Sequence, residues 1–379
     1  MDMNRTREVF ENSTDFTIGL EEEFLLLDPE TLGLVDRFEE LRDNCVTDEV
    51  LAESVAGELI SSEIEIRSGR GETFGEAVAL QQQRRRALFA HAAKLGITLG
   101  ASGTHPFASY LDQTIIDTPH YNKLREHLRW VARRNNTWSL HVHVGVRGAD
   151  RAIAVCDYLR GVLPTLLAAS ANSPFLDGQE TGLHSVRTQI FTRSFPRCGI
   201  HQPFGDFDTY ADFVNLLVET GTAAESTELW WSVRPHHAFG TVEVRICDAQ
   251  ADARRSTALS GLIAATVVQA ALDYDEGRLG RPLEDREVEE NLWRAIRYGM
   301  TGEMIDFDRR TTIPTAAAVE NLFAWTEPAR ALLDVGDSLP GPTGSEYAYQ
   351  RLGDGETVAS IFRDMVAITQ STYGDEKAA

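Results

Sequence analysis

Four stretches of the chain alternate apolar and polar residues with the two-residue period of a half-buried strand. The first is Thr17-Ile18-Gly19-Leu20-Glu21-Glu22-Glu23-Phe24-Leu25-Leu26-Leu27, which when extended sets Glu21 and Glu23 on one face and Leu20, Glu22 and Phe24 on the other. In the second, between Gly57 and Gly69, Ile64 and Ile66 alternate with Glu63, Glu65 and Arg67, so Glu63 and Glu65 share the polar face. The third, Trp138 to Val146, places His141 and His143 opposite Leu140, Val142 and Val144. The fourth, within Trp230 to Asp248, places Glu243 and Arg245 opposite Val242, Val244 and Ile246. Glu21, Glu23, Glu65, His141 and Glu243 thus each sit on the strand face opposite their apolar neighbours, whereas Glu22 shares the apolar face.

The intervening segments have the 3.6-residue period and end signals of helices. They are expected at Thr73 to Leu95 (Thr73 as cap, Gly96 as stop), Pro119 to Arg134, Ala149 to Ser170, Tyr210 to Thr220, Arg254 to Glu276, Asp285 to Gly299, Pro314 to Val335 and Glu356 to Thr372. The Gln81 to Arg86 run reads as a solvated face of its helix. Asp28-Pro29-Glu30-Thr31-Leu32-Gly33 is turn chemistry that would fold the first strand back as a hairpin. Ile97 to Phe107 reads as a strand running into a glycine-rich turn where a ligand or another backbone can approach closely, with His105 as a structural residue. Asp177 to Phe207 lacks periodicity and reads as an ordered surface loop system carrying Arg187, Arg193 and Arg197. Ser338 to Ser345 is linker-like, and no internal repeat is visible. The reading is one domain over residues 15–373, with flexible termini at 1–14 and 374–379.

At 379 residues and 42% apolar content the chain can bury a large core. A net charge of −22 excludes nucleic acid and anionic membrane as partners, since both require a basic footprint. Lysine occurs only as Lys94, Lys123 and Lys377; an arginine-based cationic set fits either a high-GC genome or a salt-adapted host. Cys45, Cys156, Cys198 and Cys247 form no C-x-x-C pair and are expected as reduced thiols. With no secretion signal and no uninterrupted spanning run, the chain reads as cytoplasmic.

Two carboxylates held side by side in a buried site cost several kcal/mol unless a cation neutralises them, and a divalent ion does so with hard oxygen ligands. Glu21 with Glu23 fits this, as it also fits a solvated edge strand. Histidines two apart on one strand face suit a metal or a phosphate. A carboxylate two residues from an arginine, as in Glu243 and Arg245, suits a metal-bound polyphosphate: the acid holds the cation and the guanidinium holds the oxygens. The chain has no G-x-x-x-x-G-K-[ST] and no G-x-G-x-x-G, so phosphate would have to be handled by metals and arginines.

The segments Gly19-Leu20-Glu21-Glu22-Glu23-Phe24, Ser102-Gly103-Thr104-His105-Pro106-Phe107, His141-Val142-His143-Val144-Gly145, Arg234 to Arg245 and Arg297-Tyr298-Gly299 together resemble the type 2 glutamate–cysteine ligase family, the YbdK-like carboxylate-amine ligases. The resemblance implies an α+β, glutamine-synthetase-like catalytic fold: a curved, mainly antiparallel sheet with the site on its concave face and helices packed on its outer face. It further implies ATP and Mg2+ or Mn2+ as cofactors, and small-molecule substrates. The γ-carboxylate of glutamate would become an acyl phosphate and be attacked by the amine of cysteine, releasing ADP and phosphate. By the same resemblance Glu21, Glu23, Glu58, Glu65, His141 and Glu243 are metal ligands. Arg245 lies on the transferring phosphate, with Glu65 as its catalytic companion. Arg234 is set on the cofactor, and Arg187 and His143 on the substrate. Glu22 departs from members with an apolar residue there and is left out of the site. Another amine acceptor, or a guanidino-kinase-like phosphotransfer, remains open, and a homo-oligomer is among the forms the sequence allows.

Overall fold

The computed structural model describes residues 2–223 and 228–374. Its centre is a seven-stranded sheet made of β1 (Ile18–Leu27), β2 (Val55–Ala56), β3 (Glu63–Arg67), β4 (Thr98–Gly100), β5 (Ser139–Gly145), β6 (Val233–His236) and β7 (Thr241–Asp248). The order is β6-β7-β5-β1-β3-β2, with β4 alongside the C-terminal part of β1, and every pairing is antiparallel. The fold class is therefore α+β with a mainly antiparallel sheet.

The long helices are α1 (Met3–Glu11), α2 (Phe38–Cys45), α3 (Phe74–Lys94), α4 (Pro119–Leu128), α5 (Ala149–Leu159), α6 (Leu163–Ser170), α7 (Val186–Ser194), α8 (Phe207–Glu219), α9 (Ala253–Asp275) and α10 (Asp285–Tyr298). They are followed by α11 (Thr315–Trp325), α12 (Glu327–Leu333), α13 (Gly344–Gly353) and α14 (Val358–Tyr373). One face of the sheet is sealed by these helices. Leu20, Leu140, Val142, Val144, Val242, Val244 and Ile246 pack with residues of α5, α6 and α9, while Phe24, Ile64 and Ile66 pack with Leu88 and Phe89 of α3 and Phe362 and Val366 of α14. All of these side chains are buried, and a leucine- or phenylalanine-sized group gains roughly 1.5–3 kcal/mol from such burial. The apolar half of each alternation is thus the adhesive of the fold, which frees the other half for chemistry. Helix α9 is long and apolar enough to cross a membrane, yet it is 83% buried inside this molecule and serves as the core helix under the sheet.

Thr73 caps α3 as expected, its side chain accepting from Glu76 N at 3.1 Å. Elsewhere the structure corrects the pattern. Residues 3–11, expected to fray, form α1, whose Phe10 is fully buried; residues 375–379 lie outside the described residues. The chain after β1 folds back as expected, but briefly: Leu27 bridges Leu34 antiparallel, flanked by Asp28 N to Gly33 O and Val35 N to Leu26 O, both at 2.9 Å, before the chain turns into α2. The expected 149–170 helix is two helices bent by 61°, with Pro164 in the first turn of the second. The 119–134 helix stops at Arg129, whose φ of +53° no helix tolerates. The 314–335 helix breaks at Thr326, before Pro328. The region read as loop from 177 to 207 contains α7 and pieces of short strand pairs. The Gln81 to Arg86 run is not a solvated face: Gln81 is fully buried and Arg85 nearly so, both turned toward Glu22. Close approach at the glycine-rich turn is made by protein, since a Cβ at Gly103 would sit 2.7 Å from Asp248 Cγ. His105 is structural as expected. Its Nδ1 accepts from Ala108 N at 2.9 Å, so the proton is on Nε2, which donates to Leu32 O at 2.8 Å.

Candidate active site

The open face of the sheet carries one continuous set of polar side chains, and strand register explains why they meet. Glu21 stands opposite His141 on β5 and Arg67 on β3; Glu23 stands opposite Glu65; His143 stands opposite Gly19 on one side and Glu243 on the other; and Glu243 stands opposite Arg234. Directly opposed side chains lie within contact reach. The pairing of β5 with β7 shifts by one residue between Val244 and Cys247, so β7 bulges at Arg245, beside His141. Arg187 of α7 holds that bulge, donating from Nη1 to Ile246 O at 2.9 Å and from Nη2 to Arg245 O at 3.2 Å.

Three groups of potential ligands result, each with donor atoms within 4.8 Å of one another: Glu21, His143 and Glu243; Glu21, Glu65 and His141; and Glu23, Glu58 and Glu65. Glu21 belongs to two of them. His141 Nδ1 lies 3.1 Å from Glu21 Oε2, and His143 Nε2 lies 3.3 Å from Glu21 Oε1. Glu23 is fixed by Ser139, whose backbone N–H and hydroxyl both donate to Oε2, the latter at 2.7 Å. Glu243 receives Arg234 Nε at 2.6 Å and Arg245 Nη1 on its other oxygen.

Electrostatics divide these acids into two sets. Burial works against the charge of Glu21 and Glu243, but His143 and His141 hold the first, and Arg234, Arg245 and His143 the second, well below the usual carboxylate range. Glu65 has only Arg67 at 3.6 Å and Glu58 only the more distant Arg245 in support, and Glu63 has neither. Burial, then the charges of neighbouring glutamates, pushes Glu63 and Glu65 well up, and pushes Glu58 up to about 7. Burial and the nearby Arg245 charge keep His141 neutral, as a ligand imidazole must be. Glu63 Oε2 is buried with no hydrogen-bond partner among the described residues. Repelling carboxylates, an orphaned buried oxygen, and a donor set of hard oxygens with imidazole fit divalent cations of the magnesium or manganese type.

Glu21, Glu23, Glu58, Glu63 and Glu65 line one side of a cavity of about 320 Å³, with His141, His143 and Glu243 next to them on the sheet. The opposite wall is apolar and aromatic: Leu59, Tyr121, Leu124, Phe191, Phe195 and Trp230. Phe195 sits 5.0 Å from Phe191 and 6.1 Å from Trp230, centroid to centroid. Arg187, Arg234 and Arg245 reach the cavity between the two walls.

Every residue expected at the site lies in or beside this cavity, with three changes of emphasis. His143 falls within a ligand group instead of standing apart as a substrate contact. Arg187 commits its Nη atoms to β7 backbone, so it positions Arg245. Glu63 was visible on the polar face yet left out of the expected set, and it lines the cavity. Ser139 and the aromatic wall were missed altogether. Ser139 sits two residues before His141 on the same face, a spacing that could have suggested it; the wall is assembled from α4, which periodicity foresaw, and from α7 and the segments about Leu59 and Trp230, which it did not.

A sheet whose back is sealed by helices and whose front gathers acids, imidazoles and arginines beside one cavity defines a candidate phosphoryl-handling ligase site. The chain belongs to glutamate–cysteine ligase family 2, which it matches over residues 17–376, and it is an ATP-dependent carboxylate-amine ligase of that type. Among its relatives, a Rubrobacter xylanophilus chain with the provisional name glutamate–cysteine ligase 2-2 is 38% identical over 368 residues, 96% of this chain and 94% of that one. A glutamate–cysteine ligase of Natronomonas pharaonis is 34% identical over 316 residues, 83% of this chain and 86% of that one. The crystal structure of a glutamate–cysteine ligase from Francisella tularensis, in complex with AMP, shares the fold, with a TM-score of 0.68 at 12% identity, covering 98% of this chain and 91% of that one.

Proposed function

We propose that the enzyme joins the γ-carboxylate of glutamate to the amine of cysteine, with residues 15–373 forming one catalytic domain. The observation that carries this reading is the mixed lining of the cavity: carboxylates and arginines backed by His141 and His143 on the sheet, together with aromatic side chains. The polar wall suits ATP and the reacting carboxylate. Arg245, with its buried Nε unpartnered among the described residues, and Arg234 present positive charge where a transferring phosphoryl group needs it. The aromatic wall suits a small thiol-bearing acceptor, since sulfur packs favourably against ring edges.

Glu21, Glu23, Glu58, Glu65, His141 and Glu243 would hold magnesium or manganese, with His143 completing one group. Such ions neutralise phosphate charge and align the attacking oxygen. The γ-phosphoryl group of ATP passes to a carboxylate oxygen of glutamate, giving an acyl phosphate and ADP. The amine of the second substrate attacks the acyl carbon, the amide C–N bond forms, the C–O bond to phosphate breaks, and the amine proton leaves to solvent. Arg187 keeps Arg245 at the bulge throughout. We place the enzyme in the cytoplasm, on the support of its four free thiols and of α9 being a core helix.

An amine and carboxylate panel scored by ADP release and product mass tests this. ADP release that requires both glutamate and an amine, with cysteine the best acceptor, is the expected result. No activity with glutamate and any amine would overturn the substrate assignment.

A further inference from the structure

A second cavity, of about 310 Å³, lies on the helix side of the sheet, between α3, the N-terminal half of α9, the Asp334–Ser338 segment and the end of α14. The fold does not need it for the front-face chemistry. Its wall brings together Arg85, Arg86 and Arg254, with Gln82 and Thr257 as further donors and Asp334 as the acid. In a chain with 58 acidic and 36 basic residues, three guanidinium groups meet around this one hollow, two of them answered by Glu22 and Asp252 and the third, Arg86, left to offer its charge. Their commitments differ. Arg85 is spent on Glu22, while one of its Nη atoms reaches Thr257 Oγ1 at 3.4 Å. Among the described residues Arg254 pairs only within its own turn, with Asp252. Arg86 has no hydrogen bond or ion pair with any described residue. The first turns of the 23-residue α9 also open here, through Ala253 and Arg254, and a helix N-terminus adds to the positive potential.

We propose that this cavity binds a small organic or inorganic oxyanion, phosphate or carboxylate, between Arg86, Arg254 and Thr257, and that occupancy is felt at the catalytic face. The path is short and physical. An anion beside Arg85 competes with Glu22 for its guanidinium, and Glu22 lies between Glu21 and Glu23 on β1, so any shift of that pair moves the strand that supplies two of the ligand residues. The binding half stands by itself; the coupling half rests on the metal-site reading given above. Coupling of this kind is reciprocal: an anion that weakens metal binding is itself bound less well when metal is present.

Titration calorimetry on the full-length, metal-free protein at constant ionic strength, with inorganic phosphate and with glutarate as separate probes, tests the binding half. One saturable site is expected, weakened about tenfold or more in the double variant Arg86→Ala/Arg254→Ala, whose melting midpoint confirms that it is folded. The more conservative Arg86→Lys/Arg254→Lys pair should recover part of the affinity. The probe that binds more tightly identifies whether phosphate or carboxylate is the natural group. Binding unchanged in both variants would put the anion at the front-face arginines and overturn the assignment, as would the absence of saturable binding of either probe. Manganese affinity, read by EPR with and without the tighter probe, tests the coupling. A shift of about threefold or more, abolished in the alanine variant, is expected. Anion binding with no shift in manganese affinity overturns the coupling and leaves the site, whereas absence of manganese binding altogether overturns the metal reading and leaves the calorimetry intact.

Discussion

Glu22 and its two neighbours are adjacent in sequence, turned to opposite faces of the sheet, and opposite in what surrounds them. On the helix side, Glu22 receives Arg85 on both oxygens at 2.5 and 2.6 Å, Gln81 Nε2 at 2.9 Å and Ser256 Oγ at 2.5 Å. Burial raises its carboxyl, but the Arg85 charge and hydrogen bonds bring it below the ordinary value. The acid is fully answered by protein. On the front, Glu58, Glu63 and Glu65 stay buried among other acids, and their charge is answered only in part. A buried carboxylate with complete internal partners is a structural element; a buried group of carboxylates without them is a receptor for a cation.

The sharpest way to break this contrast is at Arg85. Replacing it with Ala strands Glu22 as an unpaired charge, and chemical denaturation should show a loss of about 3–5 kcal/mol. Removing both charges together, as Glu22→Leu/Arg85→Met, should cost clearly less, because no charge is left uncompensated. Equal losses in the two proteins would mean that packing, not charge, is what the pair supplies.

Glu65→Gln should do the reverse. Turnover should fall about 10²- to 10³-fold, followed as ADP release across magnesium concentrations. The metal-free melting temperature should stay equal or rise, since a repelling charge has been removed. Glu243→Gln separates the two behaviours in one residue: it sits in a ligand group but also neutralises Arg234 and Arg245, so it should lose turnover and metal-free stability together. A Glu65→Gln protein with normal turnover would remove that residue from the site.

The same contrast has a pH signature. Between the ordinary carboxyl value of 4.5 and about 7, folded Glu58 holds a proton that the unfolded chain has released. Glu63 and Glu65 shift in the same direction. The stability these groups contribute is fully present below about 4.5 and is lost as pH rises through about 7. The buried histidines His105, His141, His184, His201, His236 and His237 are held neutral and shift stability the opposite way over part of this range, so the signature is read as a difference: relative to a Glu58→Gln variant, metal-free protein should lose about 1–2 kcal/mol between pH 5 and 8, discounted from the full shift because the glutamates titrate together. Saturating magnesium should shrink that difference. A difference of the opposite sign would contradict the assignment of the uncompensated set.

Much of the front face was legible because a period of two is a geometric statement: once Leu20, Ile64, Val142 and Val244 point inward, Glu21, Glu65, His141 and Glu243 must point outward. What pairs with what across the sheet needed register, and register is invisible in alternation. The partner of Glu22 could not be read for a similar reason. Gln81 and Arg85 sit in a polar run with no helical amphipathicity to reveal that its inner side is buried, and their target is about sixty residues away in the chain. The aromatic wall, the bulge at Arg245 and the role of Arg187 depend on how separate segments are placed against one another, which is set by tertiary packing and not by the pattern within any one segment. The helix breaks at Arg129, Arg160–Val162 and Thr326 follow from local backbone and proline chemistry that a 3.6-residue pattern passes over.

The smallest and most symmetrical test removes one hydroxyl from each side. Ser256 donates to Glu22 and Ser139 donates to Glu23, both buried, each in a set of several donors. In Ser256→Ala, Glu22 keeps Arg85 and Gln81, so the loss is one charge-assisted hydrogen bond, about 1–2 kcal/mol by denaturation. Magnesium dependence should not move, because the helix-side acid takes no part in holding the ion. In Ser139→Ala, the backbone N–H of residue 139 still donates to the same oxygen, so stability should change by less than about 1 kcal/mol. Glu23 would no longer be fixed in one rotamer by the hydroxyl that also contacts His141 Nε2 at 2.7 Å. A residue that orients two potential ligands acts on affinity more than on folding, so the magnesium concentration at half-maximal rate should rise about tenfold. Should the two variants exchange these signatures, with Ser256→Ala altering metal dependence and Ser139→Ala altering only stability, the division of the β1 acids into structural and receptor groups would be wrong.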